Sequence, residues 1–183
     1  MIKFDTQQVE IKPLVYFIGL SAKKNCKHLD EKTRTGHIVE EIVDRLPSVQ
    51  VIKTNLVKEP PLNADGKLRY PNYDEMTVGW YQLKSEIIAT KPTLLVILGQ
   101  QVSLFLRSQM GIQPSKPLLP SDFSSKAYLT QATDFILSIH HPSYVYIYHR
   151  NDIERYIENV VISVSDLLFE NHNFSFANNA FLN

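Results

Sequence analysis

The chain has 183 residues, 44% of them hydrophobic and 21% charged, and its 19 basic and 19 acidic side chains cancel to a formal net charge of zero. That length fits one domain over residues 1–183 with a core of its own, and the charge balance argues against strong nonspecific attraction to polyanions. A single cysteine, Cys26, excludes an intramolecular disulfide framework and a cysteine-only metal cluster within one chain, and no run reaches the ~18 uninterrupted apolar residues of a membrane-crossing helix.

Residues 15–20 (VYFIGL) form a short apolar run with a glycine near its end, which predicts a buried strand feeding a loop. Residues 21–34 are polar and basic and predict a long functional loop. Ile38, Val39, Ile42, Val43 and Leu46 follow Thr35 and Gly36 at spacings of three and four, the mark of an amphipathic helix, which Pro47 and Ser48 end. Residues 49–56 predict a second strand. Pro60 and Pro61 open an irregular segment through Pro71. Asp74 and Glu75 open a helix reaching Ala89, with Met76, Trp80, Leu83 and Ile87 on one stripe, and Lys91-Pro92 stops it. Residues 94–98 (LLVIL) predict a third, wholly apolar strand closed by Gly99. Residues 101–109 predict a helix with Val102, Phe105 and Leu106 inward. A proline-rich loop spans 114–120, and a fourth strand is expected at 134–139. The last helix, 152–171, turns Tyr156, Ile157, Val160, Val164 and Leu167 or Leu168 inward. The asparagine-rich tail from His172 is expected to fray.

This alternation predicts an α/β fold: a single-domain three-layer sandwich with a central, mostly parallel four-stranded sheet and helices on both faces. Ligands of such sheets bind outside the carboxyl ends of the strands. Three expected strand ends carry polar residues: Ser21, Asn55 and the His140-His141 pair.

The segment around the histidines is the most informative. An apolar strand ends abruptly at His140, His141, Pro142 and Ser143. Pro142 fixes its own φ and pushes His141 toward extended geometry. Neighbouring strand residues face opposite ways, so the two histidines are poor joint metal ligands. Ser143 offers a hydroxyl and an N–H to an anion, and Tyr144, Val145 and Tyr146 place bulky side chains just beyond. Asn55 offers a donor and an acceptor from one planar group, suited to the edge of a pyrimidine or to shaping a turn. Lys23, Lys24 and Lys27, then Lys32 and Arg34, and later His149 and Arg150, form local basic clusters. These are solvated faces or anion contacts. The lysines flank Cys26, but no base partner for a nucleophilic cysteine is defined.

Four segments in order resemble the uracil-DNA glycosylase superfamily. Gly19-Leu20-Ser21 looks like its first motif. Thr54-Asn55-Leu56-Val57-Lys58, followed by Pro60-Pro61, is similar to the asparagine segment of the iron–sulfur type. Lys91-Pro92 through Leu98-Gly99, with Val102 after it, looks like the family's lysine-proline, apolar-strand, leucine-glycine segment. His141-Pro142-Ser143 is similar to the closing motif. The resemblance implies base excision: a nucleotide leaves the stack and its N-glycosidic bond is cleaved. It implies that His141 donates to the base oxygen where negative charge develops and that Asn55 reads the base. Ser143 grips a phosphate, and Tyr144, Val145 or Tyr146 serves as a wedge. Lys58 and Tyr144 join Ser143 as expected DNA contacts.

Departures from the pattern are specific. The acidic or amide residue that normally follows the first-motif glycine is replaced by Leu20 and Ser21. Water positioning then falls to Ser21, Asn25, Asp30 or Glu31. The family's phenylalanine after this motif is missing. The four cysteines of the iron–sulfur type are not present, so no cluster or other cofactor is expected, and no metal.

The expected function is a monomeric DNA glycosylase acting on uracil or another damaged or modified base, in single- or double-stranded DNA. Residues 1–10 lack the order of a signal peptide, so the expected location is cytoplasmic, nucleoid-associated in a bacterium, with no membrane partner. The alternatives are a catalytically inactive nucleic-acid or nucleotide-binding module on the same fold, and an enzyme acting on free nucleosides.

Overall fold

The computed structural model describes residues 12–112, 126–129 and 135–170. Strand β1 (Leu14–Ser21) leads to helix α1 (Arg34–Arg45), and the step recurs as β2 (Gln50–Val57) to α2 (Tyr73–Thr90) and β3 (Leu94–Leu98) to α3 (Gln100–Gln109). Strand β4 (Lys126–Leu129) precedes β5 (Phe135–Ile139), and β5 runs through the two histidines into α4 (Pro142–Tyr148). A 3₁₀ turn (Arg150–Asp152), α5 (Ile153–Ser165) and a π-helical turn (Asp166–Glu170) follow.

The sheet has the order β2-β1-β3-β5-β4. The predicted strands β2, β1, β3 and β5 are parallel, and β4 lies antiparallel on the β5 edge. β4 is an addition to the four-stranded expectation; its four residues are too few for a period of two to stand out.

Alternation along each central strand feeds two cores. Val15 and Phe17 of β1, with Leu94, Val96 and Leu98 of β3 and Leu137 and Ile139 of β5, pack on one face. Ile38, Val39 and Ile42 of α1 cover them, together with Tyr156, Ile157, Val160 and Val164 of α5. Tyr16 and Ile18 of β1, Leu95 and Ile97 of β3 and Ile136 of β5 face the other way, under Trp80, Leu83 and Ile87 of α2 and Val102, Phe105 and Leu106 of α3. Burial on both faces explains why these strands read as unbroken apolar runs. The result is the expected three-layer α/β sandwich.

Three local expectations change. Helix α1 starts before its apolar periodicity does, because the Thr33 hydroxyl caps it by accepting the Gly36 N–H at 3.0 Å. Thr35 and Gly36 therefore lie in the first turn. Helix α2 opens at Tyr73 on a capping box in which Asn72 and Glu75 each accept the other's backbone N–H. The apolar residues after Ser143 form α4, with Pro142 in its first turn, where a missing N–H does no harm. The 114–120 loop, residue 134 and the tail from His172 lie outside the described residues. No helix among the described residues is long and apolar enough to cross a membrane.

Candidate active site

The parallel strands deliver their ends to one cleft of about 380 Å³, within the range of roughly 300–1,000 Å³ for small-ligand pockets. From β1 come Gly19, Leu20 and Ser21, from β2 Asn55, and from the loop after β5 His141 and Ser143. The loop between β1 and α1 adds Lys23, Cys26, Lys27 and Asp30, and the segment before α2 adds Leu68, Arg69 and Tyr70.

Register places the first pair. Gly19 lies opposite Asn55 in the parallel β1–β2 ladder. A Cβ on Gly19 would fall 2.3 Å from Asn55 Oδ1, so only glycine lets the buried amide sit there. Asn55 is 3% exposed. Its Nδ2 donates to His28 Nδ1 at 3.0 Å, which fixes the orientation of the amide and leaves the His28 proton on Nε2. Burial, then the nearby Lys58 charge, hold the His28 pKa below its ordinary value against Glu86 and Glu59.

Backbone geometry places the second. His141 has φ −65° and ψ 124°, the extended conformation that a following proline imposes. Its Nδ1 faces the Ser143 N–H at 3.3 Å and the Ser143 hydroxyl at 2.8 Å. An amide N–H can only donate, so Nδ1 is the acceptor and the neutral ring carries its proton on Nε2. Burial, helped by the Lys23 charge, pushes the His141 pKa down to about 4. The ring is therefore a neutral donor near pH 7. At the end of β3, Gly99 has φ +94°, and a Cβ there would come 3.0 Å from the His141 Cβ; glycine is what allows the strand end to lie against the histidine. His140 turns away from the cleft. It is buried, its ring stacks on Tyr144 at 6.3 Å, and its carbonyl accepts the Tyr156 hydroxyl at 2.6 Å.

The other expected residues divide. Ser21 and Asp30 line the cleft. Asp30 accepts the backbone N–H groups of Lys27 and Lys32 at 3.2 and 3.0 Å. These bonds hold its carboxyl below the usual range, so Asp30 is an anion that also pins its own loop. Asn25 does not reach the cleft: it is exposed in a left-handed turn at φ 59° and lines a neighbouring hollow. Lys58 lines that hollow too and pairs with Glu86. Ser143 lines the cleft, but its hydroxyl serves His141. Tyr144 is packed among the rings of His140, Tyr148 and His149 and is not part of the cleft lining. Val145 cannot act as a wedge, because it is fully buried in the core. Tyr146 lies beneath the guanidinium groups of Arg34 and Arg150.

The residues that sequence reasoning passes over lie in the segment read as irregular. Leu62 and Leu68 form an antiparallel bridge, and the Arg69 N–H donates to the Pro61 carbonyl at 3.0 Å. The Arg69 guanidinium grips both Glu75 oxygens at 2.6 and 2.7 Å. That ion pair, with the Asn72 N–H, takes the Glu75 pKa down to about 2. The arm is thus tied to α2, and it holds two large side chains at the cleft in solvent: Tyr70 is 76% exposed and Leu68 49%. The Asn72–Glu75 capping-box pattern was the available signal that this arm is anchored.

Among the described residues, no group of three or more histidine, cysteine, aspartate or glutamate side chains is placed to hold a metal ion. The cleft offers instead a neutral imidazole donor, an oriented amide, an ionised carboxylate and an exposed aromatic ring. No protein-family model matches the chain, and no curated protein is similar enough to it in sequence to count as a match.

Proposed function

We propose that the chain is a DNA glycosylase similar to the uracil-DNA glycosylase superfamily, hydrolysing the N-glycosidic bond of a flipped-out uracil or other damaged or modified base. One observation carries this reading. A histidine locked as the neutral Nε2–H tautomer lines the same cleft as a buried asparagine amide of fixed orientation. The bond between the base nitrogen and C1′ of the sugar breaks with both electrons going to the base. His141 donates to the base oxygen where that charge collects, and Asn55 pairs with the edge of the base. Such a preorganised donor is worth about 10²–10³-fold in rate. The Asp30 carboxylate lies near the developing sugar cation, and Ser21 holds the water. The water oxygen bonds to C1′, and its released proton passes through solvent to the departing base, leaving a free base and an abasic site. Tyr70 supplies the face on which the base stacks, the role that no residue near the first motif fills.

The test is base release from single-stranded and duplex oligonucleotides carrying uracil, hypoxanthine, xanthine and 5-substituted pyrimidines, with alkali revealing abasic sites. Release of one base establishes the activity and names the preference of the pocket. Absence of release from the whole panel rejects it.

One observation favours the second reading, an inactive binding module on the same fold. Leu20 and Ser21 stand where an acid or amide is expected, and both Asp30 oxygens are already bonded to loop amides. Under that reading the oligonucleotides bind and none is cut.

A further inference from the structure

A second hollow, about 830 Å³, adjoins the cleft, and Ala22, Lys23, Cys26 and Lys27 line both. The hollow's own lining is basic, with Lys24, Lys53 and Lys58 against one acid, Glu59. Lys53 and Lys58 are neutralised by Glu40 and Glu86. Lys23, Lys24 and Lys27 are exposed and form no ion pair among the described residues, although the Lys27 charge is felt by the Asp30 carboxylate. In a chain of zero net charge, three unpaired cations within five residues at a concave surface are a local anion site rather than a general property.

A second set of unpaired cations lies at the other end of the cleft. Thr33 and Thr35 line the cleft. Arg34, between them, sits 5.1 Å from the centre of the Tyr146 ring, and Arg150 sits 5.4 Å from the same ring. Neither arginine has an acidic partner among the described residues. The sheet order β2-β1-β3-β5 puts the lysine hollow at the β2 end and Tyr146, on α4, at the β5 end.

We propose that these features form the track of one DNA strand: the phosphodiester backbone crosses the lysine hollow, passes the cleft and leaves over the Arg34–Tyr146–Arg150 stack. This rests on the glycosylase reading only in that the cleft receives a base. A single strand fits better than a duplex for two reasons. A concave basic trough with an exposed aromatic ring, Tyr70, at its rim is the arrangement that holds a flexible strand by backbone charge and base stacking. The three residues directly after Ser143 are engaged elsewhere and do not fill the gap that a flipped base leaves in a duplex: Tyr144 among neighbouring rings, Val145 in the core, Tyr146 under two arginines.

The experiment measures binding of a fluorescent oligothymidylate with one central abasic analogue, by anisotropy, across a potassium chloride series. The proteins are the wild type, Lys23→Gln/Lys24→Gln/Lys27→Gln and Arg34→Gln/Arg150→Gln. Each phosphate contact to a single strand contributes about 0.7 to the slope of log affinity against log salt. The triple variant should therefore flatten the slope by about 2 and the double variant by about 1.4. Lys24→Gln alone, outside the cleft lining, should flatten it by about 0.7. The same sequence as a duplex should bind more weakly. Unchanged slopes in the folded lysine variants, or tighter binding of the duplex, overturn the proposal. The abasic probe separates the two ideas: base release with unchanged slopes rejects the track alone, while flattened slopes without base release reject the glycosylase alone.

Discussion

The two walls of the cleft are built differently. The floor, at the strand ends, is buried and over-determined: Asn55 is held between Gly19 and His28, and His141 between Gly99 and Ser143. The rim, made by the loop after β1 and the arm before α2, leaves lysines and Tyr70 in solvent while fixing their backbones through Asp30 and through Arg69–Glu75. A floor of this kind suits chemistry that depends on sub-ångström placement. A rim of this kind suits contact with a large charged partner, where each side chain adjusts. Substitutions on the floor should change rate and stability, and substitutions on the rim should change affinity.

The largest effect belongs to His141→Ala. Base release should fall by about 10²–10³-fold, while affinity for the abasic strand stays within about twofold, because the bond strengthens only in the transition state. Equal losses in both would place His141 in binding rather than catalysis. The same residue sets an acid limit. A histidine in the unfolded chain titrates near 6.5, whereas His141 in the fold titrates at about 4. Between those values the unfolded chain holds a proton that the folded chain does not, so stability falls as pH drops through that window and is constant above it. Urea unfolding at pH 4.5 and 7 should show the wild type losing of order 2–3 kcal/mol more than His141→Gln. Parallel losses would mean that the ring is not held neutral by burial.

Gly19→Ala tests the floor from beneath. The added methyl group meets Asn55 Oδ1, and overpacking of this kind costs about 1–3 kcal/mol. The melting temperature should fall, and base selectivity should loosen with it as the amide is displaced. A variant as stable and selective as the wild type would show that the β1–β2 register has room to spare.

Most of the floor was legible in the sequence. The apolar runs of β1, β3 and β5 are conspicuous because both their faces are buried, and polar residues where such runs stop mark the crevice. His141, Asn55 and Ser21 were found on that basis. Of the rim, the loop after β1 was legible as a polar, basic segment that includes Asp30, while the arm before α2 was not, for a physical reason. Its geometry comes from side chain to backbone bonds and one ion pair, which leave no periodicity, so Tyr70 and Arg69 passed as part of an irregular stretch. Asn25 and Asp30 looked alike as polar loop residues; a left-handed turn sends the first outward, while two backbone amides hold the second at the cleft. Tyr144 and Val145 followed the motif and were expected to project, but α4 turns Val145 into the core.

Two smaller effects sharpen the contrast between floor and rim. Tyr70→Ala removes a ring that is mostly in solvent, so stability should move by less than about 0.5 kcal/mol, while loss of a stacking face should weaken binding of a base-containing strand by about tenfold. Binding of the abasic strand should not change, since it has no base at the cleft to stack; a loss there would make Tyr70 a contact to the rest of the strand. His28→Phe keeps a ring of similar shape and removes only the acceptor for Asn55 Nδ2. The amide is then free to turn over and present its donor where its acceptor stood, which is the difference between pairing with one pyrimidine edge and another. One neutral hydrogen bond is worth about 0.5–1.5 kcal/mol, so the ratio of kcat/KM between the preferred base and its nearest competitor should fall by roughly two- to tenfold. Total activity on the preferred base should change less than the ratio, because His141 is untouched. A selectivity that survives His28→Phe would assign the orientation of Asn55 to Gly19 and the strand register alone.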